Sequence, residues 1–213
     1  MRFRIWLLLV VACVAASAET SSPISRWRQC LTDKSDAAID ACTSIIALDP
    51  QNDGALVNRG IAYRRSGEIE LAVRDYDAAI RKNPAAADAF NNRGNAQRER
   101  RNLAGALHDY NEAIRLDPHY AHAFNNRGAI FLEVGELELA IDDFNRAIAE
   151  DPSYANAFRS RGLARMEQEL FDLAVADFDE AFRLNPAIGH GIEYDAALLS
   201  SQGRRSSDES DDR

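Results

Sequence analysis

Residue types that carry chemistry are scarce in this chain of 213 residues, which has four histidines, three cysteines, two methionines and two tryptophans. There is no glycine-rich phosphate loop, no Gly-x-Ser-x-Gly elbow and no His-Glu-x-x-His pair, so three common kinds of active site lack their residues. His119 and His122 stand three apart at a helix start, but no cysteine or paired carboxylate lies close in sequence. A metal site there would need further ligands, and exposed polar residues are the simpler reading. Asp142-Asp143 reads as a solvated helix face rather than an acid pair. The chain is therefore read as non-enzymatic, and no cofactor is implied. Positive charge is also short, with 25 Lys and Arg against 34 Asp and Glu and a net charge of −9. That balance argues against a nucleic-acid surface, which needs clustered cations to meet phosphates. Long apolar runs are missing after the first residues, so no other stretch is fit to cross a bilayer.

The beginning of the chain reads as an export signal. Arg2 and Arg4 supply a positive end, Ile5 to Val14 a short apolar run, and Ala16-Ser17-Ala18 a small-residue cleavage site. The run is shorter than the roughly 20 residues a membrane-spanning helix needs. Val10-Val11-Ala12-Cys13 offers an alternative, a lipoprotein signal in which Cys13 becomes a lipidated terminus in the cell envelope. The valine where leucine is usual, and the early position of Cys13, favour cleavage near Ala18 and a periplasmic or secreted chain. Cleavage removes two arginines and no acid, which leaves 23 basic against 34 acidic residues, a charge of −11. Cys30 and Cys42 remain. An even count in an exported chain suggests a disulfide, and an antiparallel helix pair can bring two Cα atoms within roughly 4.4–6.8 Å. The other possibility is two buried thiols packed as small apolar groups.

What the chain has in plenty is repetition. From Ala87 the sequence runs Ala-Asp-Ala-Phe-Asn-Asn-Arg-Gly-Asn and closes with Glu-Ala-Ile-Arg-Leu-Asp-Pro at Pro118, and the pattern returns every 34 residues. Prolines fall at Pro50, Pro84, Pro118, Pro152 and Pro186, each after Asp or Asn, and Arg-Gly pairs end at Gly60, Gly94, Gly128 and Gly162. A fixed period of this length predicts an all-α array of stacked helix pairs. Four units follow from it, 53–86, 87–120, 121–154 and 155–188. Each carries a bulky residue four before its glycine, as in Leu56 and Gly60. Its second helix then repeats Ala, aromatic, Ala, as in Ala72/Tyr76/Ala79 and Ala140/Phe144/Ala147. Glycine and alanine let two backbones approach while the ring fills the space beside them. Residues 19–52 read as a degenerate N-terminal capping unit with Trp27 as the apolar contact of its first helix. Residues 189–201 read as a C-terminal capping helix, and 202–213, rich in Ser and Asp, as a disordered tail.

These residues resemble the tetratricopeptide repeat, with its Gly, Ala, aromatic, Ala and Pro signature, over 53–188 and in half-form over 37–52. Arg101 and Glu169 depart from it by standing where Gly67 and Gly135 make the turn, which predicts turns that form under strain. The resemblance implies an α-solenoid, a right-handed superhelix whose concave groove is lined by first helices. It also implies a scaffold that binds a peptide or helical segment of a protein partner. Arg59, Arg93, Arg127 and Arg161, with Asp75, Asp109, Asp143 and Asp177, serve every unit equally and are assigned to contacts between helices.

Binding candidates lie on the first-helix columns that the resemblance turns to the groove. One column runs Asn58, Asn92, Asn126, Ser160; the next runs Val57, Asn91, Asn125, Arg159, with Asn95 a turn beyond Asn91. Asparagine offers a donor and an acceptor and can satisfy the main chain of an extended peptide, or else bond water or a neighbouring helix. Arg64, Arg65, Arg98 and Arg159 oppose Asp88, Glu99, Glu133 and Glu167, so the inferred groove is close to neutral in an acidic protein. Some members of the family clamp a terminal carboxylate with two lysines. Their columns here, Val57/Asn91/Asn125/Arg159 and Gly54/Asp88/His122/Asn156, hold none, which argues against that ligand.

Overall fold

The computed structural model describes residues 22–32, 36–189, 191 and 193–200, and among them every regular element is helical. The export segment with Cys13, and the tail from Gln202, lie outside the described residues. Two compact units divide the chain, Met1–Asn102 and Leu103–Arg213.

The first unit holds α1 (Pro23–Thr32), α2 (Asp36–Leu48), α3 (Asp53–Arg65), α4 (Ile69–Lys82) and α5 (Ala87–Glu99). The second holds α6 (Leu103–Leu116), α7 (Ala121–Glu133), α8 (Leu137–Glu150), α9 (Ala155–Glu167), α10 (Phe171–Leu184) and a 3-10 turn at Pro186–Ile188. Residues 193–200 form a last helical stretch. Within each unit consecutive helices pack as pairs, α3 on α4 and α7 on α8, and pairs stack on pairs.

Side chains at fixed steps make this packing. Ala72, Tyr76 and Ala79 on α4 are fully buried, and so are Ala140, Phe144 and Ala147 on α8. The glycines on the facing helices are obligatory neighbours of those rings. A Cβ on Gly60 would lie 2.6 Å from Tyr76 Cε1, and one on Gly162 would lie 2.7 Å from Phe178 Cε1. Both distances are inside van der Waals contact, so each ring occupies the volume that any side chain would need.

The ends of the helices explain the rest of the period. Each Asp or Asn before a proline accepts a hydrogen bond from the N–H two residues on: Gln51 N–H to Asp49 Oδ1 at 3.1 Å, Ala85 to Asn83 at 3.1 Å, His119 to Asp117 at 3.0 Å, Ser153 to Asp151 at 2.9 Å and Ala187 to Asn185 at 3.1 Å. This turn replaces the hydrogen bonds that the proline ends. The inner turns close in the Schellman pattern. In the first of them Glu68 N–H donates to Tyr63 C=O at 2.8 Å and Gly67 N–H to Arg64 C=O at 3.2 Å, and the same pair recurs at Asn102/Arg101, Glu136/Gly135 and Leu170/Glu169. The residue in the middle is left-handed each time, with φ 83° at Gly67 and 81° at Gly135, but 62° at Arg101 and 61° at Glu169. The two turns without glycine form as expected, with a side chain held in a conformation that glycine takes freely.

At the N-terminal end Cys30 and Cys42 are joined, with Cα atoms 4.9 Å apart, and both are buried. The bridge ties α1 to α2 beside Ala41, Ile45 and Ala55, with Trp27 packed on the cluster.

Candidate functional site

The recurring arginines and aspartates form a lock between helices. In the first unit Arg59 meets Asp75 through two parallel hydrogen bonds, Nε to Oδ2 and Nη2 to Oδ1, each 2.7 Å. In the second, Arg127 does the same to Asp143 at 2.8 and 2.7 Å, and Arg161 to Asp177 at 3.0 and 2.6 Å. The third nitrogen reaches back to the preceding pair, Arg59 to Thr43 at 3.0 Å, Arg93 to Asp77 at 2.7 Å, Arg127 to Asn111 at 2.6 Å and Arg161 to Asn145 at 2.7 Å. Each guanidinium also lies near a ring, Arg59 above Tyr63 at 5.7 Å and Arg161 above Phe158 at 5.5 Å. One side chain thus ties its own helix pair to the one before. The aspartates are buried in doing so, and burial raises the carboxyl of Asp143 above its ordinary range although the Arg127 hydrogen bonds pull it down.

With those groups committed to packing, the asparagines and the remaining arginines stand at other positions of the first helices. In the first unit Asn58, Asn92 and Asn95 are half-buried and Asn91 is buried. Asn92 Nδ2 donates to the Asp88 carbonyl of its own helix at 2.8 Å. Arg64 pairs with Glu99 on the next first helix at 2.6 Å, and its Nε is buried without a hydrogen-bond partner. Tyr76 Oη is also buried without a well-formed hydrogen bond, and burial raises its phenol although the neighbouring Arg64 pulls it down. Arg98 is half-buried near the end of α5. The structure thus brings Asn58, Asn91, Asn92, Asn95, Arg64 and Arg98 onto the neighbouring first helices α3 and α5.

In the second unit Asn125 and Asn126 stand on α7 and Arg159 on α9, with Asn125 and Arg159 at the same step of successive repeats. Asn125 is buried, and its Oδ1 has no hydrogen-bond partner. Buried acceptors are nearly always paired, so this one is a distinctive feature of the face. Arg159 Nη2 lies 3.3 Å from Glu193 Oε1. Glu193 did not emerge as a candidate from the sequence, although it falls 34 residues after Arg159 and so continues the column. His122 stacks on Tyr154 with ring centres 4.6 Å apart. His119 turns instead to Glu150, Nδ1 to Oε2 at 2.7 Å, and this contact, with Arg146 at 3.1 Å, holds the Glu150 carboxyl below its usual value. The two histidines have different neighbours, and among the described residues no cluster of three metal-ligating side chains exists.

A shallow cavity of about 150 Å³ opens beside the disulfide, lined by Arg26, Trp27, Ile45, Leu48, Asp49 and Asn52. Among the described residues no helix is long and apolar enough to cross a membrane.

The lock, the glycine-ring contacts and the paired turns define a helix-pair repeat protein. The chain belongs to the tetratricopeptide repeat family, whose model matches residues 57–121, 93–155 and 125–187, together more than half of its length. Its structure is similar to that of MamA, with 26% identity, a TM-score of 0.60, and coverage of 73% of this chain and 91% of that one. It is also similar to TTC0263, a thermophilic repeat protein of Thermus thermophilus, at 20% identity and a TM-score of 0.67, covering 77% of this chain and 90% of that one. A third similar fold is YrrB, a repeat protein with an unusual peptide-binding site, at 21% identity and a TM-score of 0.56, covering 78% and 83%. No curated protein matches the sequence. Proteins of this family commonly bind protein or peptide partners and generally act as non-enzymatic scaffolds.

Proposed function

We propose that this chain is a non-enzymatic scaffold that holds an extended segment of a protein partner against the outer face of its first helices. The observation that carries the reading is the buried, unpartnered Oδ1 of Asn125. That atom is enclosed, so the amide has to turn toward the segment, and having already lost its water it then gains a full hydrogen bond from a main-chain N–H. Asn126 beside it supplies an amide of the same chemistry and Arg159 on the following first helix supplies charge, while on the first unit Asn58, Asn91, Asn92 and Asn95, with Arg64 and Arg98, make a set of the same kind by themselves. Main-chain recognition of this kind tolerates varied side chains, and a preformed helix face lowers the ordering cost on the scaffold's side. Peptide-library selection on the mature chain tests it. Extended peptides should be recovered by the parent and lost by Asn125→Leu, with the thermal melt of that variant unchanged or raised. Recovery of the same peptides by both proteins, or of none by the parent, overturns the reading.

We place the mature chain outside the cytoplasm, in a bacterial periplasm or beyond, on the strength of the residues 2–18 pattern and of the Cys30–Cys42 bridge, which oxidising compartments favour. Intact mass of the protein from its native host checks this. A start at Glu19 supports simple export, acylation at Cys13 supports an anchored envelope subunit, and retention of residues 1–18 removes both.

A further inference from the structure

We infer that Arg159 is a carboxylate-reading position, and that Glu193 is its built-in occupant, displaced when an acidic side chain of a bound peptide takes the place. The inference rests on the proposed peptide-binding role of the first helices and assigns the chemistry of one position in it. Arg159 breaks a column that is otherwise neutral, Val57, Asn91 and Asn125, and places a cation on the outer face of α9 in a protein of net charge −9. That cation meets the chain's own carboxylate through one contact of 3.3 Å, with 42% of the Arg159 side chain and 40% of the Glu193 side chain exposed. The lock two residues away is of another kind, since Arg161 grips Asp177 twice at 3.0 and 2.6 Å with only 15% and 4% exposed. Charge-assisted hydrogen bonds of full strength run to about 2.7–2.9 Å. The outer pair is therefore long, single and open to water, which suits an exchangeable contact.

The segment that delivers Glu193 is made to fold it back. Gly189 and Gly191 have φ of 67° and 69°, in the left-handed region, on either side of the step between the 3-10 turn and the last helical stretch. A Cβ on Gly191 would lie 2.6 Å from Glu193 Oε2, so a side chain there would push the end of the carboxylate aside. Beyond it Tyr194 and Ala197 pack on Ala174 and Phe178, which keeps the carboxylate close to Arg159 at high effective concentration.

The test uses a short fluorescein-labelled peptide alternating Glu and Ser, and its Gln-Ser counterpart, in fluorescence anisotropy with the mature chain. Glu193→Gln should raise the preference for the acidic peptide by up to about fivefold, the most that an exposed ion pair can withhold. Gly191→Ala, which both crowds the carboxylate and strains the left-handed step that returns it, should move the preference in the same direction. Arg159→Gln should abolish the preference, alone and in the Glu193→Gln background. Glu136→Gln, which removes one exposed negative charge elsewhere, should leave it where it was. A preference unaffected by Glu193→Gln, or one that survives Arg159→Gln, overturns the inference while binding of both peptides keeps the scaffold reading intact. Absence of binding by either peptide to every variant counts against both.

Discussion

Arg161 and Arg159 stand two residues apart on α9 and show what separates the inner and outer faces of these first helices. Arg161 points inward, recurs in every unit, and has its nitrogens committed to Asp177 and Asn145. Arg159 stands outward, occurs once, and makes one long contact with a residue that follows the repeats. Recurrence in the sequence marks packing, because every interface between helix pairs poses the same problem. A departure within a column marks a place where packing did not dictate the residue. The sharpest way to break this comparison is to cut the inner lock. Arg127→Met leaves the Asp143 carboxylate buried without its partner and should cost about 2–4 kcal/mol at neutral pH, somewhat below the range for fully buried pairs because Arg127 keeps some exposure. The cost should also depend on pH. Burial already raises Asp143, and without Arg127 nothing opposes that shift. A raised carboxyl contributes stability that is complete below its unfolded pKa, roughly 4, and is lost as pH rises through the higher folded value. Urea midpoints of parent and variant should therefore converge at acidic pH and separate toward neutrality; a gap independent of pH would remove Asp143 from the account.

The next effect tests the glycine beside the ring. Gly60→Ala gains about 1 kcal/mol of helix propensity but puts a methyl 2.6 Å from a Tyr76 ring that is fully buried and has nowhere to retreat. Overpacking of that kind costs roughly 1–3 kcal/mol, so a net loss of about 1 kcal/mol should appear in the melt. A net gain would mean that the ring is free to shift.

These inner features were legible in the sequence because each is written four times. The helix pairs and the small-against-ring packing follow from period and residue size, and the recurrence of Arg and Asp marks them as contacts between helices, though not which pairs with which. The Asp or Asn before each of the five prolines spaced 34 residues apart was visible too, but its role as acceptor for the N–H two residues on needed the backbone. The outer face was less legible for the opposite reason. Asn91 and Asn125 look alike in sequence to Asn92 and Asn126, yet they are buried while their neighbours are only half-covered. Arg64 was readable as a groove cation, but its 2.6 Å pairing with Glu99 joins residues 35 apart on different helices. Glu193 was hidden because it lies past the last proline, where the signature stops but the column does not.

A third change should run the other way. Glu169 holds φ 61° at the centre of its turn, where Gly135 does the same work in the neighbouring repeat. The left-handed conformation costs an ordinary residue roughly 1–2 kcal/mol, and glycine gives back about half of that in chain entropy. Glu169→Gly should thus stabilise the second unit by about 0.5–1 kcal/mol, read as a higher urea midpoint with unchanged slope. Loss of stability would show that the Glu169 side chain contributes more than its backbone costs.

The smallest effect belongs to the outer face and decides whether the comparison holds. Arg159→Gln removes one exposed ion pair, with both partners able to turn to water, so its cost should stay below about 0.5 kcal/mol. Arg161→Gln, two residues along the same helix, should cost more, because it strips a bidentate partner from an aspartate that is 3% exposed and keeps only Arg165, at 2.7 Å. Helix propensity is common to both sites and cancels in the difference. Measured side by side by urea denaturation, the two variants weigh the same substitution on opposite faces of one helix. Equal losses would show Arg159 to be part of the fold, fixed by Glu193 as Arg161 is by Asp177. Unequal losses leave Arg159 as a cation whose retention stability does not explain, which is what a residue kept for contact with a partner requires.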